Sequence, residues 1–131
     1  MDDWYLKYLG KKWVADPKPP LSYNCSELAR HIYKTELNID LPMVTVDAMN
    51  IRQCVETMGD YVHNLRPLLW HETPREYDVA FMARTKFYDH CGVGVETSEG
   101  LMILHCQQDI GVVLESVFDL QERYKKISWY R

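Results

Sequence analysis

The spacing of apolar residues changes along the chain at about residue 75. Upstream it follows the three- and four-residue interval of a helix face; downstream it alternates, as in strands. Residues 2–9 read as a short helix, with Trp4, Tyr5, Tyr8 and Leu9 apolar, Asp2 and Asp3 at its positive end, and Gly10 closing it. Residues 16–21, Asp-Pro-Lys-Pro-Pro-Leu, cannot form helix or central strand, because proline fixes φ and lacks an N–H. They predict a stiff extended arm. Asn24-Cys25-Ser26-Glu27 then sets a capping residue three places before Glu, which predicts a helix running to about Asn38. Leu28, Ala29, Ile32 and Leu37 form its inward stripe. A loop follows at Ile39-Asp40-Leu41-Pro42, then a second helix over 47–60 with Ile51, Val55 and Met58 inward and Gly59 near its end. Between 61 and 76 the pattern is ambiguous, and Pro67 limits any strand there to a sheet edge.

After Pro74 five strands are predicted: Tyr77–Ala83, His90–Glu96, Leu101–Cys106, Gly111–Glu115 and Ile127–Tyr130, with a helical turn over Ser116–Tyr124. Helices first and an antiparallel sheet afterwards make an α+β class. With 131 residues and no repeat or linker, the chain reads as one domain, 1–131, of which 1–22 are the N-terminal helix and Pro-rich arm.

Composition narrows the function. Apolar residues make up 47% and charged residues 26%, values of a globular domain rather than a disordered one. The net charge is −4 and Lys/Arg never run longer than two, which argues against a nucleic-acid partner. No apolar stretch approaches a membrane span, and the acidic, aromatic start MDDWYLKYLG is not a signal peptide. Cys25, Cys54, Cys91 and Cys106 form no CxxC, and size and composition argue against a disulfide-stapled scaffold or a zinc site. Trp13 and Trp70 read as partly buried packing residues.

Three positions carry chemistry together. Cys25 opens a capped helix, where the macrodipole and first-turn N–H groups stabilise a thiolate and can donate to an oxyanion. His90 opens a strand whose residues 90, 92 and 94 read His, Gly, Gly on one face. Glycines there mark close approach of another backbone, and the Cys25 helix laid on that face would bring its first turn beside His90. His105 ends the next strand, and a hairpin turning near Ser98-Glu99-Gly100 returns it towards His90. Cys, His and a further polar group in this order form a generalised triad. Metal binding by His90, Cys91, His105 and Cys106 competes, but adjacent strand residues point to opposite faces, so one ion cannot easily collect all four.

The segment Tyr23-Asn24-Cys25-Ser26-Glu27-Leu28-Ala29-Arg30-His31-Ile32-Tyr33, followed by His90-Cys91-Gly92-Val93-Gly94-Val95 and Leu104-His105-Cys106, resembles NlpC-like cysteine peptidases. The similarity is greatest to the short forms of bacteriophage tails and gene transfer agents. Gly111-Val112-Val113-Leu114 and the ending Trp129-Tyr130-Arg131 extend it over about residues 4–131. The resemblance implies a papain-like fold, helices packed on an antiparallel sheet, and hydrolysis of amide bonds in peptidoglycan stem peptides. It assigns Cys25 as nucleophile, His90 as general base, His105 as the group orienting His90, and Tyr23 to oxyanion or substrate contact. The chain departs from the pattern at Ser26, where phage-type members often carry Trp, and at Tyr77-Asp78, where Gly-Asp is usual. No cofactor and no metal are expected. The expected partners are the stem peptide and phage tail proteins, with the protein virion-associated or in the bacterial cytoplasm before assembly. An assembly protein that keeps the fold with little or no hydrolysis, and an amidase or acyltransferase on another substrate, are the alternatives.

Overall fold

Asn24 caps the helix that its spacing predicts. Its side-chain oxygen accepts the Glu27 N–H at 2.8 Å, so one of the orphan amides of the first turn is satisfied where the chain leaves extended geometry. The computed structural model describes residues 3–41 and 65–131. The predicted helix over 47–60, and Cys54 with it, lies outside the described residues. Helix α1 spans Cys25–Ile32 and continues as a π-type turn over Tyr33–Leu37. Asn38 closes it in the left-handed conformation at φ 55°, matching the predicted boundary.

Upstream, the predicted 2–9 helix is a single 3-10 turn, Trp4–Lys7. The proline-rich segment is not the extended arm its composition suggests. The Lys18 carbonyl accepts the N–H groups of both Leu21 and Ser22, at 2.8 and 3.1 Å, and the chain doubles back. Proline restricts φ without preventing a turn, and the return lays β1 (Lys12–Trp13) parallel to β2 (Ser22–Tyr23).

The second half forms one antiparallel sheet from β3 (Val79–Ala83), β4 (His90–Thr97), β5 (Gly100–Gln107), β6 (Gly111–Ser116) and β7 (Lys126–Tyr130), in the order β6-β5-β4-β3-β7. Helix α2, Val117–Gln121, joins β6 to β7 and is capped by Ser116. Pro67 makes one isolated bridge to Tyr130 on β7, in keeping with its exclusion from a central strand. The architecture is α+β, as predicted.

Both faces of the sheet are covered, which is why β3 is buried at every position instead of alternating. On one face Leu28, Ala29 and Ile32 of α1 share a core with Cys91, Val93, Val95, Leu104 and Cys106. On the other, Leu120 and Tyr124 pack with Ala80, Met82 and Ile103. This corrects the predicted role of the glycine face. Helix α1 lies on the Cys91/Val93/Val95 side, because an apolar stripe gains more from burial against apolar strand residues than against bare glycine backbone. A Cβ on Gly92 would instead meet Ile103 Cγ2 at 2.5 Å and His105 Cβ at 3.0 Å, and one on Gly94 would meet the Arg75 carbonyl at 2.9 Å. Trp13 is partly buried as expected, but Trp70 is 96% exposed. Tyr77, in place of the glycine usual in the resembled family, takes a left-handed φ of 71°. Its carbonyl accepts the Tyr33 hydroxyl at 2.6 Å and its ring lies 4.7 Å from that of Trp4, contacts that hold the strained backbone.

Candidate active site

Cys25 is the first residue of α1, at the positive end of the helix, and the residue as a whole is half-buried. His90 is the first residue of β4 and His105 lies near the end of β5. The tight turn between these strands returns the chain so that His90 Nε2 stands 2.8 Å from His105 Nδ1. The rings meet nearly edge to face, with centroids 5.0 Å apart. The Cys25 thiol hydrogen-bonds to the His90 side chain, so the structure brings together the three residues singled out from the sequence. Because His90 Nε2 is engaged by His105, Nδ1 is the nitrogen left for the thiol.

The Cys25 thiol is held well below the ordinary range. The hydrogen bond from Cys91 is the largest cause and His90 adds to it, against the opposing effect of burial. Cys91 is pushed well above the ordinary range by the same contact and by burial, so its thiol stays protonated as a donor. Its sulfur also lies 3.5 Å from the Cys25 carbonyl oxygen. Cys91 therefore supports the nucleophile from the opposite strand face to His90. Burial raises Cys106 to about 12, and its thiol donates to the Tyr23 carbonyl at 3.4 Å. Of the three described cysteines, Cys25 alone is shifted towards the thiolate.

His105 is fully buried, and burial followed by the neighbouring His90 lowers it to about 4. It is therefore neutral at physiological pH. Its Nε2 faces Glu115 Oε1 at 2.9 Å. Glu115 in turn receives Arg123 through two bonds, Nη2 to Oε1 at 2.7 Å and Nη1 to Oε2 at 3.0 Å. Arg123 first, and His105 after it, lower the Glu115 carboxyl, which holds it ionised. The Tyr124 ring lies parallel to the His90 ring within 6°, with centroids 5.7 Å apart, and closes the other side of the imidazole.

Tyr23 is not brought to this cluster. Its ring is buried against Tyr8 and His31, with centroids 6.3 and 5.5 Å away. Sequence reasoning missed Cys91, Glu115, Arg123 and Tyr124 as neighbours of the site. Strand alternation carries a signal for one of them. Once β5 and β6 are joined by a tight turn, His105 opposes Val113 and Ile103 opposes Glu115. Glu115 is then diagonal to His105 on the same face, within reach of a long side chain.

Compared with protein-family models and with curated proteins, the chain matches no family model and no curated protein. The case for any activity therefore rests on the site itself. Chemically, the set provides a low-pKa sulfur nucleophile, an imidazole to shuttle its proton, and a neutral second imidazole fixed from behind by an ion pair.

Proposed function

We propose that this chain is a cysteine peptidase with a papain-like, NlpC-type fold that hydrolyses an amide bond of peptidoglycan stem peptides, acting as part of a phage tail. The observation that carries this reading is the line Cys25–His90–His105 at the start of a capped helix, with the nucleophile's thiol held below its ordinary range. The sequence resemblance supplies the substrate class and the setting.

In the proposed reaction the Cys25 thiolate attacks the amide carbonyl carbon, with the His90 imidazolium as its ion-pair partner. The tetrahedral oxyanion is stabilised by the Cys25 backbone N–H at the helix start. His90 gives its proton to the leaving amine, the C–N bond breaks, and a thioester to Cys25 remains. His90, now neutral, takes a proton from water as that water attacks the thioester. The acid product leaves and the thiolate–imidazolium pair is restored.

Mass spectrometry of defined muropeptides incubated with wild-type and Cys25→Ala protein tests this. Stem-peptide fragments are expected with the wild type alone. Equal fragment release by a folded Cys25→Ala variant, or no release by the wild type from any stem peptide, overturns the reading.

A further inference from the structure

The tautomer of the His90–His105 pair is left undecided by those two rings alone. Whenever His90 is neutral, as it is after protonating the leaving amine or while the proton rests on the Cys25 sulfur, the one hydrogen bond between the two rings is satisfied equally well with the proton on His90 Nε2 or on His105 Nδ1. In the second arrangement a neutral His90 carries its single proton on Nδ1, the nitrogen on the Cys25 side, and cannot accept a proton there. Something outside the pair has to break this symmetry.

Glu115 does so. An ionised carboxylate only accepts, so His105 Nε2, 2.9 Å from Glu115 Oε1, must carry the proton. Neutral His105 then presents a bare Nδ1, which accepts from His90 Nε2–H at 2.8 Å. His90 Nδ1 is thereby left as the acceptor towards Cys25. Arg123 makes the carboxylate dependable. Its two bonds, at 2.7 and 3.0 Å, fix both Glu115 oxygens and favour the ionised form. The carboxylate and guanidinium are side chains of β6 and of the turn after α2, elements that the functional reading above does not use.

We propose that Glu115, clamped by Arg123, is a positioning residue that sets the tautomer of His105 and, through it, the proton-accepting state of His90. The proposal rests on reading Cys25 and His90 as a nucleophile–base pair, but its test needs no substrate. Long-range 1H–15N correlation of the imidazole nitrogens at pH 7 reports which nitrogen of each ring carries the proton. Iodoacetamide labelling of Cys25 reports the consequence at the sulfur. In the wild type, His105 is expected as the Nε2–H tautomer. In Glu115→Ala the Nδ1–H form should become populated, and Cys25 labelling should slow by roughly tenfold or more. Sodium formate, a carboxylate small enough for the space vacated at this partly exposed position, should restore part of the rate. Arg123→Met, which leaves the carboxylate in place, should fall between the wild type and Glu115→Ala.

An unchanged His105 tautomer in folded Glu115→Ala protein overturns the proposal. So does slowed labelling that formate leaves unrestored, since that marks a merely structural role. If Glu115→Ala does not fold, the Arg123→Met tautomer ratio decides, and a wild-type ratio there counts against the clamp. Failure of the muropeptide assay, with these shifts present, would remove the peptidase reading and leave the relay standing.

Discussion

His90 Nε2 lies 2.8 Å from His105 Nδ1, and this contact joins residues fifteen positions apart on neighbouring antiparallel strands. It makes the two histidines unequal. His90 touches the nucleophile, whereas the ring nitrogens of His105 bond His90 on one side and the carboxylate behind it on the other. Removing the shuttle should therefore cost more than removing its support. His90→Ala is expected to lower muropeptide cleavage by roughly 10²–10⁴-fold, and His105→Ala by less. Initial rates of fragment release, with circular dichroism to establish folding, check the order. A larger loss in His105→Ala would reverse the assignment.

The cysteines should separate by pH. A thiol held below its ordinary range stays a thiolate as the pH falls, while Cys91 and Cys106 are raised and stay protonated. At pH 6 a thiol-reactive probe should modify Cys25 far faster than either of the others. Peptide mapping after a short exposure measures this. Equal labelling of the three would contradict the ion pair.

Acid should weaken the fold through His105. The native protein refuses a proton at His105 down to about pH 4, whereas the unfolded chain takes one near the ordinary value of 6.5. Between these limits the unfolded state binds more protons, so stability is complete above about pH 6.5 and falls as the pH drops towards 4. The full effect is at most ~3 kcal/mol. The lowered Glu115 carboxyl acts in the same direction at lower pH. Urea midpoints at pH 7 and pH 5 should therefore differ in the wild type, and differ less in His105→Asn.

Gly92 should tolerate no side chain. A methyl there would meet Ile103 Cγ2 at 2.5 Å, the Leu104 carbonyl at 2.9 Å and His105 Cβ at 3.0 Å, within a sheet covered on both faces. Gly92→Ala is expected to destabilise by about 1–3 kcal/mol. Because His105 must give way, its cleavage rate should fall beyond what the unfolded fraction explains. Denaturant unfolding and rates on the folded protein, measured together, separate the two effects.

The Asn24 cap links the fold to the site. Its side chain accepts from Glu27 N–H at 2.8 Å and from Ser26 Oγ–H at 3.1 Å, both within the first turn, which Cys25 opens. Asn24→Ala should cost about 1 kcal/mol of stability. It should also slow Cys25 labelling at pH 6, because a frayed first turn weakens the field at the sulfur. A stability loss with unchanged labelling would show that the turn holds without its cap.

Local signals were legible because they depend on neighbours in sequence. The capping spacing of Asn24 and Glu27 located α1, the stripe Leu28, Ala29, Ile32 named its buried face, and alternation located the strands. The candidate Cys25, His90 and His105 could be named because residue type, capped-helix start and strand position are all written in the chain. The arm at 16–21 was misread, since proline states an allowed φ and leaves the chain's direction to the Lys18 carbonyl that folds it back.

Sequence by itself determined the α+β class, the start of α1, the approximate places of the five strands and the three residues of the proposed line. Which sheet face α1 covers was a tertiary decision, because both faces of β4 offer small or apolar residues and only the assembled core favours one of them. The same holds for the groups around the reactive pair. Cys91 supports Cys25 because α1 lies on its face, and Tyr124 stacks on His90 because α2 lies on the other. Glu115 reaches His105 only through the β5–β6 register. Their effects decay over a few ångströms, and distances of that size between remote residues exist only once the chain has folded.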